Sequence, residues 1–360
     1  MKNIFYLILL VAFASCNAQK NVSEANVIKA QQPLPKNGIF YHLPVTVVNI
    51  EVTAKKTIEK RGPYYRYSQR FLNLNDIITE DRTSWEITEA RIYTSGAPDA
   101  DRVFRILSEG TPSGAAVNLT PDGILKGLNL NETSTVTVRQ NSQIETAKQP
   151  EDISFDDVPF TEEQLIKTSS AATAEEVAAE IYRLREARRR LLESDMQTLP
   201  PDNGAYERIL EGINKLEEQY LSLFKGKKET TSVTKTFTFI PDASTPAGQV
   251  LFRFSEQKGF TDNLDMTGTP VYIEVKSETG VEKDRLEPLE ENAERSGLVY
   301  CKPAKVNVKV IDRTVLLNEA EVLVAQFGTL HRLPSSLLDS SVTEVKLDTK
   351  TGALLKITTK

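Results

Sequence analysis

The chain has 360 residues, of which 39% are hydrophobic and 26% are charged. This composition predicts one to three globular domains and excludes collagen, a coiled-coil rod and a multi-span membrane protein. The 44 Lys and Arg residues are outnumbered by 50 Asp and Glu residues, which gives a net charge of −6. An acidic chain is not expected to bind nucleic acid.

Residues 1–18 have the layout of a secretory signal peptide. Lys2 is followed by an uncharged, mostly apolar run and then by small residues. The run is too short to span a membrane as a helix. Residues 13–16, Phe-Ala-Ser-Cys, resemble a bacterial lipobox, in which Cys16 is acylated and becomes the new N-terminus. Small residues on both sides of Ser15 also suit an ordinary signal peptidase, so lipidation and simple removal are both open.

The segment after the signal peptide bears on localisation. Residues 19–36 are mostly polar and are predicted to form a tether. Acyl chains on Cys16 would be enough for stable anchoring. We therefore expect an exported protein, either a periplasm-facing outer-membrane lipoprotein or a soluble periplasmic or secreted protein. Contact with a membrane is expected only through the lipid anchor.

Residues 37–130 are predicted to form an N-terminal β-domain. Val45, Val47, Ile50 and Val52 make an apolar stripe with one slip at Val47–Val48. The Pro-Asp-Gly sequence at residues 121–123 indicates a hairpin turn. Within this region, apolar residues at helical spacing over residues 64–74 predict a short amphipathic helix that packs on the sheet.

A helical segment interrupts the β-rich sequence. Residues 131–170 are polar and acidic and are predicted to form a linker or a long surface loop. Residues 171–226 have apolar positions at helical spacing on both sides of a Pro-Pro-Asp-Asn-Gly turn, which predicts an antiparallel helical hairpin. Capping boxes are predicted at Thr161–Gln164 and Thr173–Glu176.

Residues 227–360 are predicted to form a C-terminal β-domain, because short runs of period two return without intervening helices. The predicted fold class is mainly β with an inserted α-helical hairpin, and the β-domains are antiparallel sandwiches or barrel-like. Residues 38–52 resemble residues 297–310 with a single-residue offset, and a Gly-containing hairpin follows each segment. Duplicated β-domains and a chance similarity are both open.

Several motifs of this sequence carry a family likeness. They are Gly38–Pro44 with the valines that follow it, Arg61–Leu72, the predicted turn Ala97–Asp101, and Val324–Gly328 with Leu333-Pro334 downstream. Together they resemble a family of secreted or envelope proteins of unknown function from Bacteroides and its relatives. The resemblance implies a Gram-negative envelope setting, and it implies no activity and no catalytic residue.

The common catalytic motifs are missing from the sequence. It has no Gly-x-Ser-x-Gly elbow, no His-Glu-x-x-His helix, no phosphate loop and no dinucleotide fingerprint. His42 and His331 stand alone in strand-like runs, and Cys301 is expected to be a small buried residue. Asp99–Asp101 and Asp262–Asp265 are expected to form turns and not Ca²⁺ sites. We therefore predict no catalytic residue, no metal site and no cofactor.

Binding is the function that the residues favour. Aromatic rings beside guanidinium groups suit sugar stacking or protein anchoring, which makes Tyr65, Arg66, Arg70 and Trp85 candidate ligand or partner residues. We expect a non-enzymatic envelope protein that acts as a binding or scaffold component, with a protein partner at the helical hairpin. The alternative is a carbohydrate-binding module or a carboxylate-dependent glycoside hydrolase.

Overall fold

A computed structural model describes most of the chain beyond the N-terminal segment. The described residues are 25–28, 38–106, 115–130, 153–193, 203–242, 248–277, 297–338 and 340–359.

The described residues form four α-helices and thirteen β-strands. The helices are α1 (Ser68–Leu72), α2 (Glu162–Leu165), α3 (Ser170–Leu192) and α4 (Asn203–Lys225). The first six strands are β1 (Ala25–Ile28), β2 (Ile39–Lys60), β3 (Arg82–Ile106), β4 (Val117–Leu119), β5 (Leu125–Leu128) and β6 (Lys227–Phe239). The others are β7 (Gln249–Ser255), β8 (Gly259–Thr261), β9 (Thr269–Ser277), β10 (Gly297–Asp312), β11 (Val315–Pro334), β12 (Thr343–Leu347) and β13 (Leu354–Thr359).

The strands form three antiparallel sheets. The first sheet has the order β1-β3-β2-β6, the second has β11-β10-β9-β7-β8, and the third has β13-β12-β5-β4. The long hairpins β2–β3 and β10–β11 are the largest strand pairs of the first two sheets. The helices α3 and α4 are inserted between β5 and β6. The predicted fold class, mainly β with an inserted helical hairpin, is confirmed.

Strand β2 contributes to two hydrophobic cores and leads into a third. Near its start, Tyr41 and Leu43 are buried with residues of β10 and the third sheet. Farther along, alternate residues from Val48 to Ala54 are buried between the first and second sheets. Beyond its end, Tyr64 packs on the third core, which the helices supply. The strand therefore ties the three layers together.

The predicted C-terminal β-domain, residues 227–360, shares strand pairs with the predicted N-terminal β-domain, residues 37–130. Strand β6 was assigned to the C-terminal β-domain, but all of its length pairs with β2 of the first sheet. Strand β12 likewise pairs with β5. The core around Tyr41 contains Leu298 and Val345 as well. The two β-rich segments therefore share sheets and a core. The sequence did not reveal this, because pairing partners far apart in sequence leave no local signal.

The similarity between residues 38–52 and 297–310 has a structural counterpart. Gly38 and Gly297 both have positive φ at the start of a long hairpin. The amide of His42 donates to the Gly123 carbonyl at 2.9 Å, and the amide of Cys301 donates to the Gly352 carbonyl at 3.0 Å. Each segment therefore contacts the glycine turn of the short hairpin that follows it.

Two local predictions on β2 and β3 are corrected. On β2 the buried side chains change from odd-numbered to even-numbered residues at the register shift between His42 and Pro44, and not at Val47–Val48 as predicted. Residues 97–101 were predicted to form a turn, but they lie within β3. There the register shift leaves an irregular stretch, in which Asp99 Oδ2 forms a salt bridge with Arg102 Nε at 3.2 Å. Such bulges reverse the face to which side chains point.

The helical layer follows the predicted spacing with one correction. Thr161 and Gln164 form the predicted capping box at the start of α2, within the segment predicted as a linker. Thr173 does not cap a helix, because α3 begins earlier and Ser169 accepts from the Ala172 amide. The apolar residues at 64–74 pack on α3 and α4 and not on the sheet as predicted.

Thr46 joins β2 to two distant segments. It is fully buried, its hydroxyl donates to the Lys350 carbonyl at 3.0 Å, and it accepts from the Ala325 amide at 3.0 Å. The Gln326 side chain completes the link: its Oε1 accepts from the Thr46 amide, and its Nε2 donates to the Thr46 carbonyl. These bonds fix the position of β11 and of the β12–β13 turn against β2.

We predict that Thr46→Val lowers the free energy of unfolding by about 1–3 kcal/mol, because it leaves the buried Ala325 amide without its partner and removes the donor to the Lys350 carbonyl. Thr53→Val is the matched control on the same strand, since the Thr53 hydroxyl bonds the Thr234 hydroxyl in an exposed position. The control is expected to change stability by no more than about 0.5 kcal/mol. Urea denaturation measures both, and equal losses would contradict the prediction.

Candidate functional site

The lipidation candidate Cys16 lies outside the described residues, as do the rest of the predicted signal peptide and most of the tether. The predicted binding residues Tyr65, Arg66, Arg70 and Trp85 are all described. Their positions can therefore be examined one by one.

A close contact between backbones positions the loop that holds Tyr65. A β-carbon on Gly62 would lie 2.2 Å from the Leu223 carbonyl oxygen, so only glycine fits there. The Tyr64 amide donates to the same carbonyl at 2.9 Å. The Ser68 hydroxyl donates to the Phe224 carbonyl at 3.0 Å. The loop after β2 is thus fixed to the C-terminal end of α4.

Two guanidinium groups lie over the Tyr65 ring. Arg61 lies 5.4 Å and Arg66 lies 5.6 Å from the centre of the Tyr65 ring, which is within cation–π range. Arg66 Nε also donates to the Tyr65 hydroxyl at 3.0 Å. Because this bond favours the ionised phenol, Arg66 lowers the pKa of Tyr65. The tyrosine therefore holds two cations close together.

These residues line an open cleft of about 370 Å³, which we call the basic aromatic cleft. It is lined by Lys60, Arg61, Gly62, Pro63, Tyr65, Arg66, Asp81 and Phe155. Asp81 Oδ1 accepts from the Arg61 amide at 2.8 Å and lies 3.9 Å from Arg61 Nε. Three cationic side chains thus line the cleft with one carboxylate.

The other two predicted binding residues do not line this cleft. Arg70 is exposed on α1, with its guanidinium 5.1 Å from the centre of the Phe71 ring. Trp85 packs against the β7–β8 turn, where a β-carbon on Gly259 would lie 2.7 Å from its ring. Its amide donates to the Glu256 carbonyl. Of the four predicted binding residues, Tyr65 and Arg66 therefore line the cleft, and Arg70 and Trp85 do not.

Four residues of the cleft were missed by sequence reasoning. Lys60 and Arg61 directly precede the Gly-Pro-Tyr-Tyr motif, so their proximity to Tyr65 could have been read from the sequence. Asp81 is adjacent because the chain turns back at the start of β3. Phe155 comes from the segment predicted as a linker, and nothing in the sequence places it there.

A neighbouring cleft of about 550 Å³ contains carboxylates. Glu59, Asp76 and Glu80 line it together with basic residues. Lys228 and Arg82 contact Glu59 at 2.9 and 3.0 Å and lower its pKa. A carboxylate held in the ionised form does not suit the proton-donor role that a glycoside hydrolase needs.

The helical hairpin contains a buried ion pair that joins its two helices. Glu217 on α4 is 6% exposed and accepts from Arg185 Nε and Arg188 Nη1 on α3, each at 2.7 Å. Arg188 also donates to Asn214. Arg189 and Arg190 pair instead with Glu186 on the surface of α3.

The two ends of the hairpin differ in burial. At its base, Ile181, Tyr220 and Leu223 are buried with the residues that follow β2. Toward its tip, Leu192 and Ile209 are 59% and 45% exposed. On the seam predicted along α4, Ile209 is therefore exposed near the tip, whereas Leu191 of α3 is buried at the same end.

The isolated histidines and the described cysteine have local structural partners. His42 Nδ1 lies 3.0 Å from the Asp99 carbonyl oxygen, and His331 Nε2 lies 2.9 Å from the Thr329 hydroxyl. Cys301 is fully buried, as expected. Over the described ranges, His, Cys, Asp and Glu do not cluster in threes that could hold a metal ion. Nor does any helix in this part of the chain have the length and apolarity to cross a membrane.

The sequence matches one known protein family. Residues 37–355 match the family described as a domain of unknown function, DUF4831. Because the match covers most of the chain, the protein belongs to this family, and the predicted relationship to a family of unknown function is confirmed. The expected origin in Bacteroides or its relatives stays a prediction. No curated protein and no solved structure shows a significant match.

We predict that Glu217→Ala destabilises the protein by about 3 kcal/mol, because it leaves two arginines facing each other without their shared carboxylate. Amide hydrogen exchange should increase in α3 and α4 more than in the sheets. Glu218→Ala, at the adjacent exposed position, is the control and is expected to have little effect. Unchanged exchange in both variants would show that the pair does not hold the helices together.

Proposed function

We propose that the protein is a non-enzymatic, exported component of the cell envelope that binds a protein partner through its helical hairpin. The observation that carries the proposal is the contrast within the hairpin. Its base is fixed in a hydrophobic core and braced by Glu217, whereas Leu192 and Ile209 near its tip are exposed. Exposed apolar side chains on a rigid element are typical of interaction sites.

The N-terminal sequence supports the export part of the proposal. Residues 1–18 have the signal-peptide layout, and Cys16 stands where a lipobox places the acylated cysteine. The segment 19–36 was predicted as a tether, but Ala25–Ile28 within it form β1, which pairs with β3. Because β1 begins nine residues after Cys16, an anchored protein would hold its folded part near the membrane surface. A hairpin fixed at its base could then reach a partner in the same compartment.

The partner proposal is tested with point variants, because removing α3 and α4 would expose the core that they share with Tyr64. We expect the double variant Leu192→Asp, Ile209→Asp to capture at least tenfold less of the partner from membranes of the native organism than the wild-type protein does. Leu165→Asp is the control, since Leu165 is 68% exposed on α2, outside the hairpin. Equal capture by all forms would overturn the partner proposal.

Anchoring is tested separately with Cys16→Ser. If Cys16 is acylated, wild-type protein incorporates radiolabelled palmitate and sediments with membranes, and the variant does neither. Sedimentation that is unchanged in the variant would overturn anchoring through Cys16. This result would leave the hairpin experiment unaffected.

A further inference from the structure

We propose that the basic aromatic cleft binds an acidic sugar, with the sugar carboxylate held by Arg61 and Arg66. This site is separate from the exposed hairpin residues and does not depend on the proposed protein partner. Its ligand is a uronate residue, alone or within an oligosaccharide. The argument rests on how the cations are held, on what else lines the cleft, and on the charges around it.

The two arginines are held close together and keep donors for a ligand. Arg66 uses Nε on the Tyr65 hydroxyl, which leaves the terminal nitrogens of its guanidinium without a partner among the described contacts. Arg61 lies over the same ring at 5.4 Å and is half exposed. Guanidinium forks bind carboxylates with two parallel hydrogen bonds. Two of them beside one ring make a receptor for one oxyanion.

The position of the cations argues against a neutral sugar stacked on Tyr65. Stacking needs a free aromatic face, but both arginines lie within 6 Å of the ring centre. Arg66 also lowers the pKa of Tyr65, as expected where positive charge is concentrated. The ring orients the cations, and the charged group of the ligand is what they recognise.

The other cleft residues match the rest of a sugar acid. Asp81 is half exposed, and its Oδ2 can accept from sugar hydroxyls while its Oδ1 binds the Arg61 amide. Phe155 adds apolar surface to the cleft, with Lys227 Nζ 5.1 Å from the centre of its ring. Lys60 adds a third cation. The cleft volume of about 370 Å³ suits one or two sugar units.

Charges around the cleft argue against an extended polyanion or an anionic membrane. Asp81 lines the cleft, Glu59 and Glu80 line the cleft beside it, and Asp157 lies near Phe155 on the same loop. The whole chain has a net charge of −6. A long polyanion needs a continuous basic surface. Basic residues accompany these carboxylates, since Arg82, Lys225 and Lys228 line the neighbouring cleft and Lys227 pairs with Asp157. The surface around the cleft therefore mixes both signs of charge and is not continuously basic, which fits one acidic sugar.

The binding experiment uses the purified full-length protein with trigalacturonate and with a glucuronate trisaccharide, followed by calorimetry at low salt. The matched neutral probe is the galactose trisaccharide, galactotriose. We expect binding of at least one acidic probe and at least tenfold weaker binding of the neutral one. No binding of either acidic probe, or equal binding of the neutral probe, would overturn the proposal.

Variants locate the site. Arg61→Gln and Arg66→Gln are each expected to weaken binding at least tenfold. Arg70→Gln, an exposed arginine on the same segment that does not line the cleft, should bind as wild type. Tyr65→Phe removes the hydroxyl that positions Arg66 and is expected to weaken binding several-fold with an unchanged melting temperature. Equal effects of all three arginine variants would show nonspecific attraction and overturn the assignment.

Vesicles containing phosphatidylglycerol distinguish a lipid headgroup from a sugar. We expect no binding to these vesicles beyond that to neutral phosphatidylcholine vesicles. If the vesicles bind in an Arg66-dependent way and the acidic trisaccharides do not, the site recognises a lipid phosphate and the sugar proposal is wrong. Circular dichroism of each variant confirms that a loss of binding does not reflect unfolding.

Discussion

The structure depends on the pairing of β2 along nearly its whole length. This strand has 22 residues, so it extends about 70 Å, and β3 pairs with it along nearly all of that length. One end lies in the core shared with β10, the middle lies between two sheets, and the other end leads into the helical layer. Neither the third sheet nor the helical hairpin would have a fixed position without it.

The sequence predicted the elements better than their arrangement. Periods of two and 3.6 identified most of the strands and both long helices, because local spacing reports burial directly. They missed β1, which lies in the segment predicted as a tether. The partners of β6 and β12 were missed, since pairing across hundreds of residues leaves no local signal. The bulge near Pro44 was also missed. A bulge transfers the apolar pattern to the opposite face, and several assignments of the valines fit the spacing equally well.

The candidate site shows the same limit. Tyr65 and Arg66 could be selected because rings and guanidinium groups adjoin in the sequence. Asp81 and Phe155 could not, because the fold alone brings them to the cleft. Trp85 was grouped with Tyr65 by residue type, yet it packs under the β7–β8 turn. Site residues that are neighbours in the sequence could be predicted. Site residues that come from different strands and loops could not.

The length of the β2–β3 hairpin has a mechanical consequence. Antiparallel interstrand hydrogen bonds run perpendicular to the strands, so a pull along a strand loads many of them together in shear. The chain enters β2 at one end of this hairpin, and the helices are attached at the other. A force between a tethered N-terminus and the helical hairpin would therefore run lengthwise along β2. Rupture would require many bonds to fail at once, whereas peeling would break them singly.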